Sequence, residues 1–150
     1  MRLSALANIK LAAGDPEIAG ITADSRAVKP GFLFAALPGA KADGAAFVGE
    51  AIAKGAVAVL GGEALRGFNG SATVIDGNPR RRLALMAARF YDRQPKVMAA
   101  VTGTNGKTSI ASFLRQIWAQ LGRKAASFGT VGVVSPTGTR ALGLTTPDPV

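Results

Sequence analysis

The chain has 150 residues, of which 48% are apolar and 18% are charged, and this composition excludes an intrinsically disordered protein. It contains no cysteine and no histidine, which excludes a disulfide framework, a thiolate metal site and catalysis by a histidine base. The formal net charge of +9 suits nucleic acid, anionic lipid or phosphorylated small molecules, whereas a single tyrosine and a single tryptophan argue against a surface that stacks on bases.

Residues 1–91 alternate between helical and strand patterns. A short N-terminal helix is indicated rather than a signal peptide, because Asn8 and Lys10 interrupt the apolar stretch, and no apolar run is long enough to span a membrane. Four apolar runs predict strands, at residues 18–23, 32–37, 56–60 and 73–75. Helices are predicted from about residue 47 to 55 and over 79–91. This alternation is typical of α/β layers with a mainly parallel sheet.

The sequence shows where the helix predicted over 79–91 begins. The stretch DGNPR, residues 76–80, predicts a helix N-terminus with Asn78 as the cap and Pro79 at the first helical position. Three arginines occupy positions 80–82. They serve either an anionic partner or a solvated helix face, and the sequence alone leaves both readings open.

The polar stretch DRQPK, residues 92–96, contains a proline and is the predicted domain boundary. Beyond it, residues 97–101 predict a buried strand, and a helix is predicted from just after Thr108 to Gly122. The helix is indicated by apolar residues spaced by three and four: Ile110, Phe113, Leu114, Ile117, Trp118 and Leu121. The run KAASFGTVGVV, residues 124–134, predicts a second strand. A single strand–helix–strand unit is too small to bury a sheet on both faces. We therefore expect residues 1–93 to be a complete first domain and the rest to be the beginning of a larger one.

Between that strand and that helix lies the glycine loop, residues 103–109. Gly103 and Gly106 let the backbone approach a ligand closely, the first N–H groups of the helix carry partial positive charge, and Lys107 adds a full charge. The hydroxyl groups of Thr108 and Ser109, which follow Lys107, can reach a metal ion. These features predict a polyphosphate-binding loop, although its glycines are more closely spaced than in the standard P-loop pattern. The alternative is an ordinary turn with a solvated lysine.

Four stretches of the sequence together resemble a known family: ADSRAVKPGFLFAALPGAKADGAAF (23–47), NPRRRLALMAARFY (78–91), VTGTNGKTS (101–109) and GTVGV…LTTPDPV (129–150). They stand in the order in which similar stretches occur in the Mur ligases, the enzymes that build the peptidoglycan stem peptide. The loop TGTNGKT, with its short glycine spacing, is typical of the Mur and folylpolyglutamate ligases. The D-S-R stretch followed by G-x-L-F-x-A-x-x-G separates the Mur ligases from the folate enzymes. The chain therefore resembles the Mur ligases along essentially all of its 150 residues.

The resemblance implies an α/β fold. Residues 1–93 would form an N-terminal UDP-sugar-binding domain with a mainly parallel sheet, and residues 94–150 an incomplete, P-loop ATPase-like central domain. ATP is expected on the glycine loop, at Gly103, Thr104, Asn105, Gly106, Lys107, Thr108 and Ser109. Lys107 is the expected catalytic residue on the phosphates, and Thr108 is expected to face Mg²⁺. The UDP-sugar substrate is expected at Ala23, Ser25, Ala40, Lys41, Ala42, Thr145 and Thr146.

The resemblance also implies an activity. The enzyme would be a cytoplasmic, ATP-dependent ligase that adds a third amino acid, meso-diaminopimelate, to UDP-N-acetylmuramoyl-L-Ala-D-Glu, with no nucleic-acid or membrane partner. The diamino acid would bind a C-terminal domain outside these residues, so the 150-residue chain alone is expected to be inactive. Two other functions stay open from the residues themselves: a stand-alone nucleotide-binding module without catalysis, and a basic nucleic-acid binder.

Overall fold

The structure, a computed structural model, describes residues 1–11, 14–39, 43–142 and 150. The chain divides into two units, Met1–Gln94 and a second unit that begins at Pro95. Both units contain helices and strands, and the first contains a four-stranded parallel sheet, so the predicted α/β class is confirmed. Among the described residues, no helix is both long enough and apolar enough to cross a lipid bilayer.

The first unit alternates strands and helices along the chain. Its elements are α1 (Leu3–Ala7), β1 (Gly20–Thr22), β2 (Phe32–Ala36), α2 (Val48–Ala53), β3 (Ala58–Gly61), β4 (Ala72–Ile75) and α3 (Pro79–Tyr91). Short 3₁₀ helices lie in the connections at Ser25–Ala27, Gly44–Phe47 and Glu63–Leu65. The strands lie in the order β1-β2-β3-β4, and each neighbouring pair is parallel. Their carboxyl ends therefore meet at one edge of the sheet, which is the edge where parallel sheets commonly bind ligands.

Both faces of this sheet are covered, which explains why its strands appear in the sequence as unbroken apolar runs. In β2, Leu33 and Ala35 belong to a core cluster shared with α1 and α3. Phe34 and Ala36 belong to a second cluster, shared with α2. Successive side chains of a strand point to opposite faces, so each cluster receives every second residue.

Helix α3 begins where the sequence predicts. The Asn78 side-chain oxygen accepts a hydrogen bond from the Arg81 N–H at 3.0 Å, and Pro79 occupies the first turn, where its missing N–H costs the helix no hydrogen bond. The helix ends at Asp92, which adopts the left-handed conformation with φ of 47°.

The arginines at the start of α3 bind groups of their own unit. Arg80 donates to the Pro38 carbonyl at 2.6 Å. Arg82 donates to the Asp76 carboxylate at 2.6 Å and to the Ala7 carbonyl at 3.0 Å, which ties α3 to the end of α1. Of the two readings that the sequence leaves open for this cluster, these contacts favour a structural role for two of the three arginines.

We expect the core of the first unit to depend on the buried face of α3. Leu83 is fully buried in the cluster with α1, whereas Leu85, on the same helix, is 38% exposed. Leu83→Ala should lower the free energy of unfolding by about 2–5 kcal/mol, because it removes buried methyl groups and leaves a cavity. The control Leu85→Ala should cost less than about 1 kcal/mol. Urea denaturation followed by circular dichroism measures both, and equal losses would contradict the assigned core.

In the second unit, the described residues form one helix and a small antiparallel sheet. Its elements are α4 (Lys107–Gln120), β5 (Ser127–Gly129), β6 (Gly132–Ser135) and β7 (Gly138–Arg140), with the strands in the order β5-β6-β7. Gly122, with φ of 73°, follows the helix, and its N–H donates to the Ala119 carbonyl at 3.0 Å. The Arg123 N–H donates to the Trp118 carbonyl at 2.9 Å. This pair of bonds is a Schellman motif, so the predicted glycine terminus of the helix is confirmed.

Two predictions for this unit are wrong. Residues 97–101 form no strand, because a strand needs a hydrogen-bonded neighbour and no described residue pairs with them. Residues 97–100 are exposed. The single strand predicted over 124–134 is instead the antiparallel hairpin of β5 and β6. Its two-residue turn, Thr130 and Val131, is followed by Gly132, whose φ of 96° favours glycine. The described residues therefore contain no β-α-β unit here.

Helix α4 carries the predicted apolar stripe, but much of that stripe is exposed. Phe113 is 60% exposed and Leu121 is 68% exposed, and Ile110 and Ile117 are each about half exposed. The stripe thus contributes little hydrophobic burial to the second unit as described.

Candidate functional site

The glycine loop precedes α4 and leaves the N-terminus of that helix without a side-chain cap. Gly106 is the cap residue, with φ of 76°, and Gly103 has φ of 144°, and both angles favour glycine. The helical ladder begins where the Ile110 N–H donates to the Gly106 carbonyl at 2.9 Å. The N–H groups of the first turn lie before that bond and have no intrahelical partner, so they can bind an anion.

Lys107 folds back over the glycine loop. Its ammonium group donates to the carbonyl of Gly103 and to that of Thr104, the latter at 3.1 Å. The residue is exposed, as are the other residues of the loop. A positive charge therefore stands beside the free N–H groups of α4, which is the arrangement that suits a polyphosphate.

Thr108 follows Lys107 and offers a hydroxyl oxygen. Its Oγ1 lies 3.1 Å from the Oγ1 of Thr130, in the turn of the β5–β6 hairpin. Nowhere in the described ranges do three histidine, cysteine, aspartate or glutamate residues cluster closely enough to hold a metal ion. Among the described residues near the glycine loop, the hydroxyl of Thr108 is a group that could contact Mg²⁺, and the other ligands could be phosphate oxygens and water.

A second group of predicted residues lies at the carboxyl end of β1. Ala23 is half-buried, and Asp24 caps the short 3₁₀ helix by accepting a hydrogen bond from the Arg26 N–H at 2.9 Å. The Arg26 guanidinium also binds both oxygens of the Asp24 carboxylate, at 2.7 Å for the shortest bond. Hydrogen bonding to the Arg26 side chain and N–H lowers the pKa of Asp24 to about 2. The turn predicted at Asp24 and Ser25 is therefore present, with its carboxylate ionised.

Ser25 is almost completely buried and is held by Glu50 of α2 and by Lys54, the residue that follows α2. Its hydroxyl donates to the Glu50 carboxylate at 3.2 Å, and the Lys54 ammonium donates to the Ser25 carbonyl at 3.1 Å. Lys54 also donates to the other Glu50 oxygen at 2.6 Å. Sequence reasoning missed Glu50 and Lys54. Their spacing of four residues signals a helical ion pair, but nothing local signals that the pair reaches Ser25.

The structure thus groups the predicted site residues within each unit. Ala23 and Ser25 lie together in the first unit, and the seven residues of the glycine loop lie together in the second. Five of the expected substrate residues lie outside the described residues: Ala40, Lys41, Ala42, Thr145 and Thr146. The ligand assigned to each of these positions stays a prediction.

Comparison with known proteins gives close relatives. The chain is 57% identical over 139 residues to the UDP-N-acetylmuramoyl-L-alanyl-D-glutamate–2,6-diaminopimelate ligase of Brucella melitensis, covering 92% of this chain and 28% of the relative. It is 55% identical over 144 residues to the ligase of the same name from Rhizobium meliloti, covering 96% of this chain and 30% of the relative. The chain therefore spans less than a third of the length of these relatives.

Solved structures similar to this chain are also ligases. A structure of a UDP-N-acetylmuramoyl-L-alanyl-D-glutamate–2,6-diaminopimelate ligase matches with a TM-score of 0.76 and 26% identity, over 93% of this chain and 29% of that one. The MurF ligase from Thermotoga maritima, solved in complex with ADP, matches with a TM-score of 0.53 and 25% identity, over 67% of this chain and 23% of that one. Residues 17–102 match the model of the Mur ligase family catalytic domain, and residues 101–150 match that of the Mur ligase middle domain. The chain belongs to the Mur ligase family.

Proposed function

We propose that this chain contributes the UDP-sugar site and the ATP phosphate site to an ATP-dependent ligase of peptidoglycan synthesis in the cytoplasm. The ligase would join meso-diaminopimelate to UDP-N-acetylmuramoyl-L-Ala-D-Glu. The observation that carries this proposal is the high identity to ligases of that name, together with an uncapped helix N-terminus beside Lys107. In this proposal, residues 1–93 bind the UDP end of the substrate and residues 94–150 bind ATP.

The donors of the glycine loop fit a nucleotide triphosphate. Lys107 would move its ammonium group from the loop carbonyls to the phosphate oxygens, and the first N–H groups of α4 would bind the same phosphates. Thr108 would supply one oxygen ligand to Mg²⁺, which when bound neutralises phosphate charge. A family member solved with ADP supports nucleotide binding in this family.

The carboxyl edge of the parallel sheet suits the uridine end of the substrate. Ala23 and Ser25 lie directly after β1, and the segment 40–42 follows β2 along the chain. Loops at this edge of a parallel sheet are the usual ligand-binding segments. Thr145 and Thr146 are proposed to meet the sugar-peptide part of the substrate, while the diamino acid would bind residues outside this chain.

The chemistry proposed for the ligase divides into two transfers. The γ-carboxylate of the substrate's D-glutamate would attack the γ-phosphate of ATP and release ADP, and the amine of the diamino acid would then displace phosphate from the acyl phosphate to form an amide. The glycine loop would contribute positioning and charge neutralisation, which account for most of the catalysis of phosphoryl transfer. This role needs neither histidine nor cysteine, in keeping with their absence from the sequence.

Nuclear magnetic resonance with two nucleotides tests both sites at once. Titration with UDP should shift the amide signals of residues 23–26 and 40–42, and titration with ADP and Mg²⁺ should shift those of residues 103–109. Each nucleotide serves as the control for the other, because both carry a diphosphate and differ in the base. UDP shifts confined to the glycine loop, or shifts absent from 23–26 and 40–42, would contradict the substrate site in the first unit.

A further inference from the structure

Glu50 and Lys54 lie outside every residue that the sequence or the family likeness points to, yet they determine how Ser25 is held. The Ser25 hydroxyl reaches one Glu50 oxygen at 3.2 Å, and Lys54 binds the other Glu50 oxygen at 2.6 Å and the Ser25 carbonyl at 3.1 Å. The three residues thus form a closed ring of hydrogen bonds that fixes both the backbone and the side chain of Ser25.

This ring also determines the direction of the hydrogen bond that the Ser25 hydroxyl makes. An ionised carboxylate only accepts hydrogen bonds, so Ser25 must donate its single proton to Glu50. The ion pair with Lys54 holds the pKa of Glu50 below its usual value, chiefly through the Lys54 hydrogen bond, so Glu50 is ionised at neutral pH. The oxygen of Ser25 is left with lone pairs only, and its rotation is restrained.

We propose that Glu50 and Lys54 are positioning residues of the uridine-side site, which hold the Ser25 hydroxyl as a hydrogen-bond acceptor for a donor group of the ligand. The uracil ring N–H and the ribose hydroxyls of a uridine nucleotide are such donors. This inference rests on the proposed function, since it assumes that Ser25 contacts the UDP end of the substrate. It adds the requirement that the group facing Ser25 carries a hydrogen.

A double-mutant cycle on UDP binding tests the positioning role. Calorimetry should show about three- to tenfold weaker UDP binding for Ser25→Ala and for Glu50→Ala, the loss expected for one hydrogen bond. The double variant should bind no more weakly than Ser25→Ala, because Glu50 acts through Ser25. Glu63→Ala is the matched control, since Glu63 forms a comparable exposed pair with Arg66 elsewhere in the same unit, and it should bind UDP like the wild type.

Conservative variants and modified nucleotides separate this role from simple structural support. Lys54→Arg should bind UDP with wild-type affinity, whereas Lys54→Met should bind UDP more weakly. The melting temperature of each variant, measured in parallel, shows whether the variant is folded. Among N3-methyl-UDP, 2′-deoxy-UDP and 3′-deoxy-UDP, at least one should bind the wild type more weakly than UDP does, and that difference should vanish in Ser25→Ala.

The outcomes distinguish this inference from the proposed function. A wild type that does not bind UDP would overturn the substrate site and this inference with it. A wild type that binds UDP while Glu50→Ala binds equally well, or while the losses of Ser25→Ala and Glu50→Ala simply add, would overturn this inference alone. Equal binding of all three modified nucleotides would also overturn it.

Discussion

In the full-length ligase that we propose, replacing Lys107 with alanine is expected to lower ATP affinity at least tenfold while the fold is kept. The Lys107 ammonium stands beside the uncapped N-terminus of α4 and contacts two carbonyls of the glycine loop. A charge-assisted hydrogen bond to phosphate contributes roughly 1.5–3 kcal/mol, and each 1.4 kcal/mol is about tenfold in affinity. The side chain is exposed, so its removal leaves no cavity and should change the melting temperature little.

The measurement is calorimetric titration with ATP and Mg²⁺, together with thermal unfolding of each variant. Lys124→Ala is the matched control, because Lys124 is an exposed lysine beyond the far end of the same helix. It removes the same net charge without touching the glycine loop. Equal ATP affinity of Lys107→Ala and Lys124→Ala would show that the loop is an ordinary turn with a solvated lysine.

The elements of the first unit could be predicted from the sequence because their signals are local. The sequence predicts helix α3 over 79–91 and the helix occupies Pro79–Tyr91, since Asn78 caps it and proline fits best in its first turn. The predicted ends of the strands agree with the observed ends to within about two residues, because a strand buried on both faces appears as an apolar run between turn residues. Such signals need no knowledge of which strand lies beside which.

The strand content of the second unit could not be predicted because it depends on pairing partners. Residues 97–101 have the composition of a buried strand, but composition does not supply a neighbour to hydrogen-bond with, and the described residues provide none. The run at 124–134 looks like one strand, yet a two-residue turn before Gly132 divides it into a hairpin. Gly129 and Gly132 flank this turn, but its two central residues are not the asparagine, aspartate or glycine that usually signal a two-residue hairpin turn.

The candidate sites divide in the same way. The glycine loop could be predicted because glycines, lysine and the start of an amphipathic helix stand within a few residues of one another. The ring of Ser25, Glu50 and Lys54 could not be predicted, because Ser25 bonds to Glu50, which is 25 positions away in the chain, and to Lys54, which is 29 positions away. Such a contact requires that α2 packs beside the turn after β1, which only the folded unit determines.

The second large effect is expected when the 150-residue polypeptide is assayed by itself: it should show no ligase turnover. The proposed reaction needs ATP, the UDP-sugar peptide and the diamino acid in one site, and no residue of this chain is proposed to hold the third. The proposed metal site would also be poor in protein ligands. Mg²⁺ prefers about six oxygen ligands, commonly including one or two carboxylates, and Asp148 is the only carboxylate side chain after residue 93.

Exposed apolar surface adds a second reason to expect no turnover. Catalysis of phosphoryl transfer relies on rigid positioning, and the helix that follows the glycine loop has most of its apolar stripe in contact with solvent, with Phe113 60% exposed. A helix without a packed face is held weakly, because most helical stability in proteins comes from such packing. The loop that this helix positions should therefore bind ATP weakly in the 150-residue polypeptide and hold it without the precision that transfer needs.

Phosphate release is the measurement, with ATP, Mg²⁺, UDP-N-acetylmuramoyl-L-Ala-D-Glu and either diaminopimelate or lysine, each compared with the same mixture lacking the amino acid. The Brucella melitensis ligase, 57% identical to this chain over 139 residues, is the positive control for the reagents. We expect amino-acid-dependent phosphate release from that enzyme and none from the 150-residue polypeptide. Amino-acid-dependent release from the purified polypeptide would contradict the prediction, because the two units would then hold all three reactants and complete the metal site with the residues they have.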